Sequence, residues 1–139
     1  MSTDIRPEIS PNNKYWIEKH RYYELKHFCL QYPLWKHAYN SVDGLSKIPI
    51  YAASLSKSYN HSDPVSKCAE IRIFYANKMD MLERVAAETD SQIGKYILKG
   101  VTEGVSYSHL KTRLDIPCSK DVYYDLYRRF FWLLSRERE

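Results

Sequence analysis

Apolar side chains recur at steps of three and four residues along most of this chain, the spacing of one face of an α-helix. The first such stretch runs from Asn13 to Gln31, and Pro33 is expected to end it because proline lacks an N–H and restricts the preceding residue. A second short helix is expected from Leu34 to about Ser41. The candidate core residues of the first helix are Trp16, Ile17, Tyr23, Leu25, Phe28, Cys29 and Tyr32.

Helix-start signals predict two more elements in the middle of the chain. Ser62 and Asp63 offer capping oxygens before Pro64, so a long helix is expected from Pro64 to about Glu88. Asp90 can cap a following helix, from about Ser91 to Lys99, which Gly100 would end.

The stretch from Gly44 to Asp63 is rich in Ser, Asn and small residues, which is typical of a connector, with one short helix at most near 51–57. The expected division is therefore 1–60, a helical hairpin with the connector, and 61–139, a long helix followed by a C-terminal unit. The first ten residues are expected to be a loose arm.

No segment alternates between apolar and polar residues for long enough to predict a strand, so the expected fold is all-α, a small helical bundle. In its C-terminal third, a short helix from Tyr107 to Leu114, a break at 115–118 and a longer final helix follow the order of a helix-turn-helix. Ser106 and Ser119 are the expected caps. The expected buried stripe of the final helix is Val122, Leu126, Phe130, Leu133 and Leu134.

This order predicts a DNA-binding role, because the first exposed turns of such a final helix enter the major groove, where base edges are distinguishable. Side chains of the preceding helices would contact phosphates. The candidate DNA-binding residues are Lys99, Ser106, Ser108, His109, Lys111, Arg113, Ser119, Lys120, Tyr123, Tyr124, Tyr127 and Arg128. Two observations leave open that these helices have a purely structural role. Any small bundle connects helices in this order, and DNA phosphates would repel Asp121 and Asp125.

Composition narrows the class. The 139 residues carry a net charge of +4, which permits a nucleic-acid partner. The 13 tyrosines indicate that aromatic rings supply much of the packing. No apolar run is long enough to cross a membrane, and the first residues do not resemble a secretory signal. The three scattered cysteines predict buried thiols in a reducing cytoplasm.

Catalytic and metal-binding patterns are missing from the sequence. HExxH, GxSxG, a P-loop and GxGxxG are all absent, and no Cys or Glu completes a ligand set with any of the five His. The chain is therefore expected not to be an enzyme and to need no metal or organic cofactor.

The segment from Tyr96 to Leu134 resembles the C-terminal part of the ArpU/RinA-type late-gene activators of phages and prophages. The shared pattern, Ser-x-x-x-Tyr-Tyr-x-x-Tyr-Arg-Arg followed by an aromatic-Leu-Leu tail, runs here from Ser119 to Leu134. The resemblance implies a cytoplasmic, phage-encoded transcriptional regulator with a helix-turn-helix similar to region 4 of sigma factors. Double-stranded DNA would be its partner, with host RNA polymerase as a second candidate and a homodimer as one arrangement.

Two other functions fit the same helices. One is a phage protein that binds and inhibits a host protein, as an anti-CRISPR protein does, and the other is a DNA-packaging accessory similar to a small terminase subunit. The aromatic and basic residues from Lys14 to His27 suit either base stacking or, as we favour, packing against other helices or a protein partner.

Overall fold

The computed structural model describes residues 13–41 and 64–138, and every regular element in these two ranges is an α-helix. No strand occurs among them, which confirms the all-α prediction. The six helices are α1 (Lys19–Leu30), α2 (Tyr32–Ser41), α3 (Pro64–Thr89), α4 (Gly94–Glu103), α5 (Tyr107–Leu114) and α6 (Lys120–Glu137).

The start of α1 differs from the prediction of a helix beginning at Asn13. Residues 13–18 form a turn, in which the amide of Trp16 donates to the Asn13 carbonyl at 3.0 Å. The Glu18 carboxylate then accepts from the amides of His20 and Arg21, so it caps the helix. At the other end α1 stops before Pro33, as predicted, and Pro33 lies in the first turn of α2, where its missing N–H costs no hydrogen bond.

Gly100 does not end α4, contrary to the prediction. The Asp90 carboxylate accepts from the amides of Gln92 and Ile93, as its capping role requires, but the helix continues to Glu103 and ends at Gly104. Gly104 has a φ of 71°, the left-handed conformation that glycine adopts without strain. Gly100 is buried inside the helix, where a Cβ would overlap the hydroxyl oxygen of Tyr123.

The two C-terminal helices begin where the capping pattern predicts. Ser106 Oγ accepts from the His109 amide and Ser119 Oγ from the Val122 amide, each at 3.3 Å. Asp115, at the end of α5, has a φ of 51° and is the one non-glycine residue with positive φ in the described part of the chain. The boundaries of α3, α5 and α6 are therefore close to those predicted from the sequence.

The chain divides into two compact units. Of the described residues, the first contains 13–31 and 81–138; here α1 packs against α4 and α6, and α4 also contacts α5 and α6. Its fully buried side chains include Tyr22, Leu25, Tyr123, Phe130 and Phe131.

Of the described residues, the second unit contains 32–41 and 64–80, with α2 and the first part of α3. Trp35, Ala38, Cys68, Ile71 and Tyr75 are buried there, whereas the apolar side chain of Ile73 is exposed. The sequence-based boundary at 60/61, the connector, the short helix near 51–57 and the N-terminal arm lie outside the described residues.

The buried face of α6 differs from the predicted stripe. Tyr123, Tyr124, Phe130, Phe131 and Leu134 are buried, whereas Leu126 and Leu133 are half-buried and Val122 is 48% exposed. A prediction that counts Val and Leu as core and Tyr as surface misplaces this face, because a tyrosine ring buries more apolar area than a valine side chain. In α1, likewise, Tyr22 is fully buried, whereas the predicted core residue Tyr23 is half-buried, and Trp16, in the turn before α1, is exposed.

None of the described helices is both long enough and apolar enough to span a membrane.

Candidate nucleic-acid interface

The turn between α5 and α6 is fixed by buried side chains and by hydrogen bonds. Leu110 and Ile116 are fully buried, and the Ile116 amide donates to the Leu110 carbonyl at 3.4 Å. The Tyr107 hydroxyl donates to the Cys118 carbonyl at 2.6 Å, and the Tyr107 ring lies 5.7 Å from the Tyr123 ring. These contacts give α5 and α6 a defined mutual orientation, which a surface that reads a duplex requires.

Helix α5 exposes almost all of its length. Leu110 is its one buried residue, and the side chains of Ser108, His109, Lys111, Thr112 and Arg113 are exposed. None of its eight residues is acidic. The outward face of α5 therefore carries hydrogen-bond donors and positive charge with no carboxylate among them.

The exposed start of α6 is mixed in charge. Ser119, Lys120, Asp121 and Val122 are exposed in the first turn, and Asp125 follows one turn later. The carboxylate of Asp121, in the first turn, interacts favourably with the positive end of the helix dipole, whereas DNA phosphates would repel it. Of the predicted contacts in this turn, the side chain of Lys120 is the one positive charge free to approach an anion.

Ion pairs distinguish the predicted cations. Lys99 Nζ lies 3.0 Å from a Glu103 carboxylate oxygen, and Lys111 Nζ lies 3.5 Å from Asp115 Oδ1 and 3.4 Å from the Ile116 carbonyl. In the ranges that the structure describes, Arg113 and Lys120 make no ion pair. These two side chains are thus the most available to phosphates, while Lys99 and Lys111 would first have to leave a partner.

The expectation that three tyrosines of α6 point outward is wrong. Tyr123 and Tyr124 are buried, and Tyr127 is half-buried with its hydroxyl 2.8 Å from that of Tyr22. Burial, followed by the neighbouring Tyr124 and Cys118, raises the pKa of Tyr123 above its ordinary value. These rings pack edge-to-face with each other and with Phe131, so they hold α6 on the core rather than face a groove.

Arg128, which was expected to be exposed, is half-buried. Its Nε is buried and makes no hydrogen bond within the described part of the chain. Its guanidinium is therefore a weaker candidate for a direct contact than Arg113 or Lys120.

Thiols and metal-ligating residues add no further chemistry. Cys29 and Cys68 are buried, as predicted, whereas Cys118 is half-buried, and burial raises its pKa. Over residues 13–41 and 64–138, no group of three His, Cys, Asp or Glu side chains could hold a metal ion.

Sequence reasoning missed a second group of cations. Arg129 and Arg136 of α6 lie beside the aromatic rings of Tyr15 and Trp132, and Lys14 lies over Tyr15. The signal in the sequence was the spacing Arg129, Trp132, Arg136, which places a ring and two cations on one face of a helix. Their meeting with Tyr15, 114 residues away from Arg129, could not be read from local spacing.

Comparison of this chain with protein-family models, with curated proteins and with solved structures gives no match.

Proposed function

We propose that this protein is a DNA-binding regulator of the phage late-gene activator type, in which α5 and the start of α6 contact a duplex. The observation that carries the proposal is the surface of α5, an eight-residue helix with one buried residue, five exposed donor side chains that include Lys111 and Arg113, and no acid. A helix that contributes so little to the core and so much positive surface is suited to phosphate contacts.

Three further features support this function. The Ser106 and Ser119 caps define the helix starts, and the anchored turn orients α5 relative to α6. The resemblance of residues 96–134 to phage activators points to the same role. Lys120 and Arg113 are the residues that we expect to contribute most to DNA binding, with Ser108, His109 and Lys111 as secondary contacts.

The direct test is binding to duplex DNA selected by the full-length protein from a random library, measured by fluorescence anisotropy at several salt concentrations. We expect Arg113→Ala and Lys120→Ala each to weaken binding. Loss of a phosphate contact would reduce the log–log salt slope by about one unit, and loss of a base contact would cost roughly 1–3 kcal/mol at the selected site. Lys36→Ala, an exposed change in α2, is the matched control.

If both variants bind duplex as tightly as the parent at low salt, the groove-binding role of these helices is wrong. A parent protein that selects no sequence and shows no salt-dependent binding would also contradict the proposal.

A second candidate is a protein partner, such as a host factor. Leu114 at the end of α5 is 41% exposed and Val122 in the first turn of α6 is 48% exposed, and Asp121 and Asp125 flank Val122 on the helix surface. Exposed apolar side chains beside carboxylates are more typical of a protein interface than of a DNA contact.

Leu114→Ser and Val122→Ser separate the two functions. If DNA is the partner, neither variant should weaken duplex binding as much as Arg113→Ala or Lys120→Ala does, because neither removes a positive charge, and both should unfold at nearly the parent temperature. If a host protein such as RNA polymerase is the partner, both should lose its binding, as measured by calorimetry, while Arg113→Ala retains it.

A further inference from the structure

Three cations surround two aromatic rings where the turn before α1 meets the second half of α6. Lys14 Nζ lies 5.0 Å from the Tyr15 ring centre, and the Arg129 guanidinium carbon lies 5.9 Å from the same centre. The Arg136 guanidinium carbon lies 4.8 Å from the Trp132 ring, and the Tyr15 and Trp132 rings are 5.7 Å apart. We call these five residues the Tyr15–Trp132 cluster.

The positive charge of the cluster is not neutralised within the described part of the chain. Ion pairs in that part include Arg21–Glu24, Arg84–Glu137, Lys99–Glu103 and Lys111–Asp115, and Lys14, Arg129 and Arg136 take part in none there. Arg129 instead donates from Nη1 to the Tyr15 hydroxyl at 3.3 Å. In α6, Asp125 lies one turn before Arg129, and Glu137 follows Arg136 and is engaged by Arg84 at 2.9 Å; Glu88 of α3 lines the same cavity as Arg136.

The Tyr15 hydroxyl responds to this charge. The hydrogen bond from Arg129 lowers the pKa of Tyr15, burial opposes that change, and the proximity of Lys14 lowers the pKa further. The net direction is downward, as expected for a phenol in a region of positive potential.

The rings position the cations. Tyr15 is 8% exposed, so its ring is held in place by the core. A guanidinium or ammonium group that lies against such a ring loses part of the conformational freedom of its long side chain. Arg136 is exposed beside the Trp132 ring, and Arg129, whose Nη1 donates to the Tyr15 hydroxyl, keeps its other N–H groups for phosphate oxygens.

We infer that the Tyr15–Trp132 cluster is a binding surface for the phosphodiester backbone of a nucleic acid. The inference goes beyond the proposed function because it assigns a second, sequence-independent contact to residues outside α5 and the start of α6. It also gives a role to the aromatic and basic segment before α1.

Spacing and composition favour a nucleic-acid strand over an acidic protein. Arg129 and Arg136 are seven residues apart, a rise of about 10.5 Å along the helix, so the two guanidinium groups suit a polyanion with several phosphates rather than a single anionic group. An acidic protein partner would usually bury apolar side chains as well. The cluster offers it little apolar surface, because cations already lie over the rings of Tyr15 and Trp132.

The experiment compares charge removal in the cluster with equal charge removal elsewhere. The test variant is Arg129→Gln/Arg136→Gln in the full-length protein, and the matched control is Lys36→Gln/Lys95→Gln, which removes two exposed cations from α2 and α4. Lys95 is a suitable control because its Nζ also lies over a tyrosine ring, that of Tyr96, at 5.2 Å. The probes are a fluorescein-labelled 20-base-pair duplex of arbitrary sequence, single-stranded dT20 and a poly-glutamate peptide.

We expect the test variant to reduce the log–log salt slope by about two units on the duplex and somewhat less on dT20, because two phosphate contacts are lost. At 0.1 M salt this corresponds to a loss of affinity of very roughly 60-fold on the duplex. The control should change the slope by less than half of that. Arg129→Lys/Arg136→Lys should retain most of the slope, which separates loss of charge from loss of fold, and circular dichroism melting of all variants checks the fold directly.

The other outcomes can be told apart, and the first three of them overturn the inference. If the test variant and the control bind nucleic acid equally, the cluster does not contact phosphates, whatever Arg113→Ala and Lys120→Ala show for the groove. If wild type binds poly-glutamate peptide more tightly than either nucleic acid, and the test variant loses that binding, the cluster is a site for an acidic protein. If wild type binds none of the three probes at low salt, the inference is wrong, and the proposed function fails with it. If wild type binds dT20 through the cluster but not the duplex, the inference stands and only the duplex-binding function is lost.

Discussion

Gly100 needs to be glycine because of a close approach and not because of its backbone conformation. It lies inside α4, and a Cβ there would overlap the Tyr123 hydroxyl oxygen, whereas its next neighbours, the Val105 carbonyl and Leu110 Cδ1, would be at ordinary distances of 3.5 and 3.6 Å. The obstacle is therefore one oxygen atom, and removing that atom should relieve it.

A double-mutant cycle tests this contact. We expect Gly100→Ala alone to lower the free energy of unfolding by about 1–3 kcal/mol, offset in part by the better helix propensity of alanine. In the background of Tyr123→Phe, the same change should be close to neutral or stabilising, a coupling energy of roughly 1–3 kcal/mol. Urea unfolding of the four proteins gives the result. Equal costs of Gly100→Ala in both backgrounds would mean that the hydroxyl is not the obstacle.

At Asp115, unlike at Gly100, the backbone conformation decides which residue fits. Its φ of 51° places it in the left-handed region, and its side chain is 92% exposed, so the backbone conformation and not packing determines which residue fits. We expect Asp115→Val to cost about 1–2 kcal/mol and Asp115→Gly to remain within about 0.5 kcal/mol of the parent, because a branched Cβ is strained there and glycine is not. Thermal unfolding of the two variants measures the difference. A valine variant as stable as the glycine variant would contradict this account of the turn.

At the scale of the element, the caps of α5 and α6 allow stability to be separated from binding. Ser119 Oγ accepts from the Val122 amide, so Ser119→Ala should cost about 1 kcal/mol of stability. Ser119→Asp should restore the cap and hence the stability, since aspartate caps as well as serine. If the start of α6 lies against DNA, the aspartate variant should nevertheless bind duplex more weakly than the parent.

Ser91→Ala is the control for this prediction, because Ser91 is exposed in the turn before α4, caps no helix and lies outside the proposed interface. Stability is measured by urea unfolding and binding by anisotropy. An aspartate variant that is both fully stable and fully active in DNA binding would remove Ser119 and its surroundings from the interface.

The same elements show what local pattern predicts and what it does not. The starts of α5 and α6 followed from Ser106 and Ser119, because a capping hydrogen bond joins residues three apart. The buried face of α6 did not, since the choice between Val122 and Tyr123 depends on the Tyr22 and Phe131 rings that pack against it. The candidate interface follows the same rule: exposure of Lys120 was predictable, whereas burial of Tyr123 and Tyr124 required the tertiary contacts.

At the scale of the whole molecule, tyrosine rings replace aliphatic side chains in much of the first unit's core. Tyr22 and Tyr123 are fully buried beside Phe130 and Phe131, and the hydroxyl groups of Tyr22 and Tyr127 form a hydrogen bond with each other at 2.8 Å. Composition already indicated this, because 13 tyrosines in 139 residues are more than we expect on the surface alone. Which tyrosines are inside depends on pairs such as Tyr22 with Tyr127, 105 residues apart, and so could not be assigned from the sequence.

A core with buried titratable groups makes the stability of the whole fold sensitive to alkaline pH. Burial raises the pKa of the Cys29 thiol above its unfolded value of 9.0, although the Arg138 guanidinium, stacked on Phe28, opposes the change. A raised folded pKa means that the contribution to stability is fully present below pH 9. It is lost as the pH rises from there towards the folded pKa, because the unfolded chain releases the proton first.

We therefore expect the free energy of unfolding to be nearly constant from pH 7 to pH 8.5 and to decrease above pH 9, by up to about 1.4 kcal/mol per pH unit for each such group. Cys29→Ala should cost about 1 kcal/mol at pH 7, through the lost packing of a buried sulfur. It should also have a shallower decrease above pH 9, because one of the titrating groups is gone. Urea unfolding of parent and variant at half-unit steps from pH 7 to pH 10.5, with reductant present, provides both curves. Parallel curves would show that Cys29 does not titrate on unfolding and that other buried groups, Tyr123 foremost among them, account for any alkaline loss.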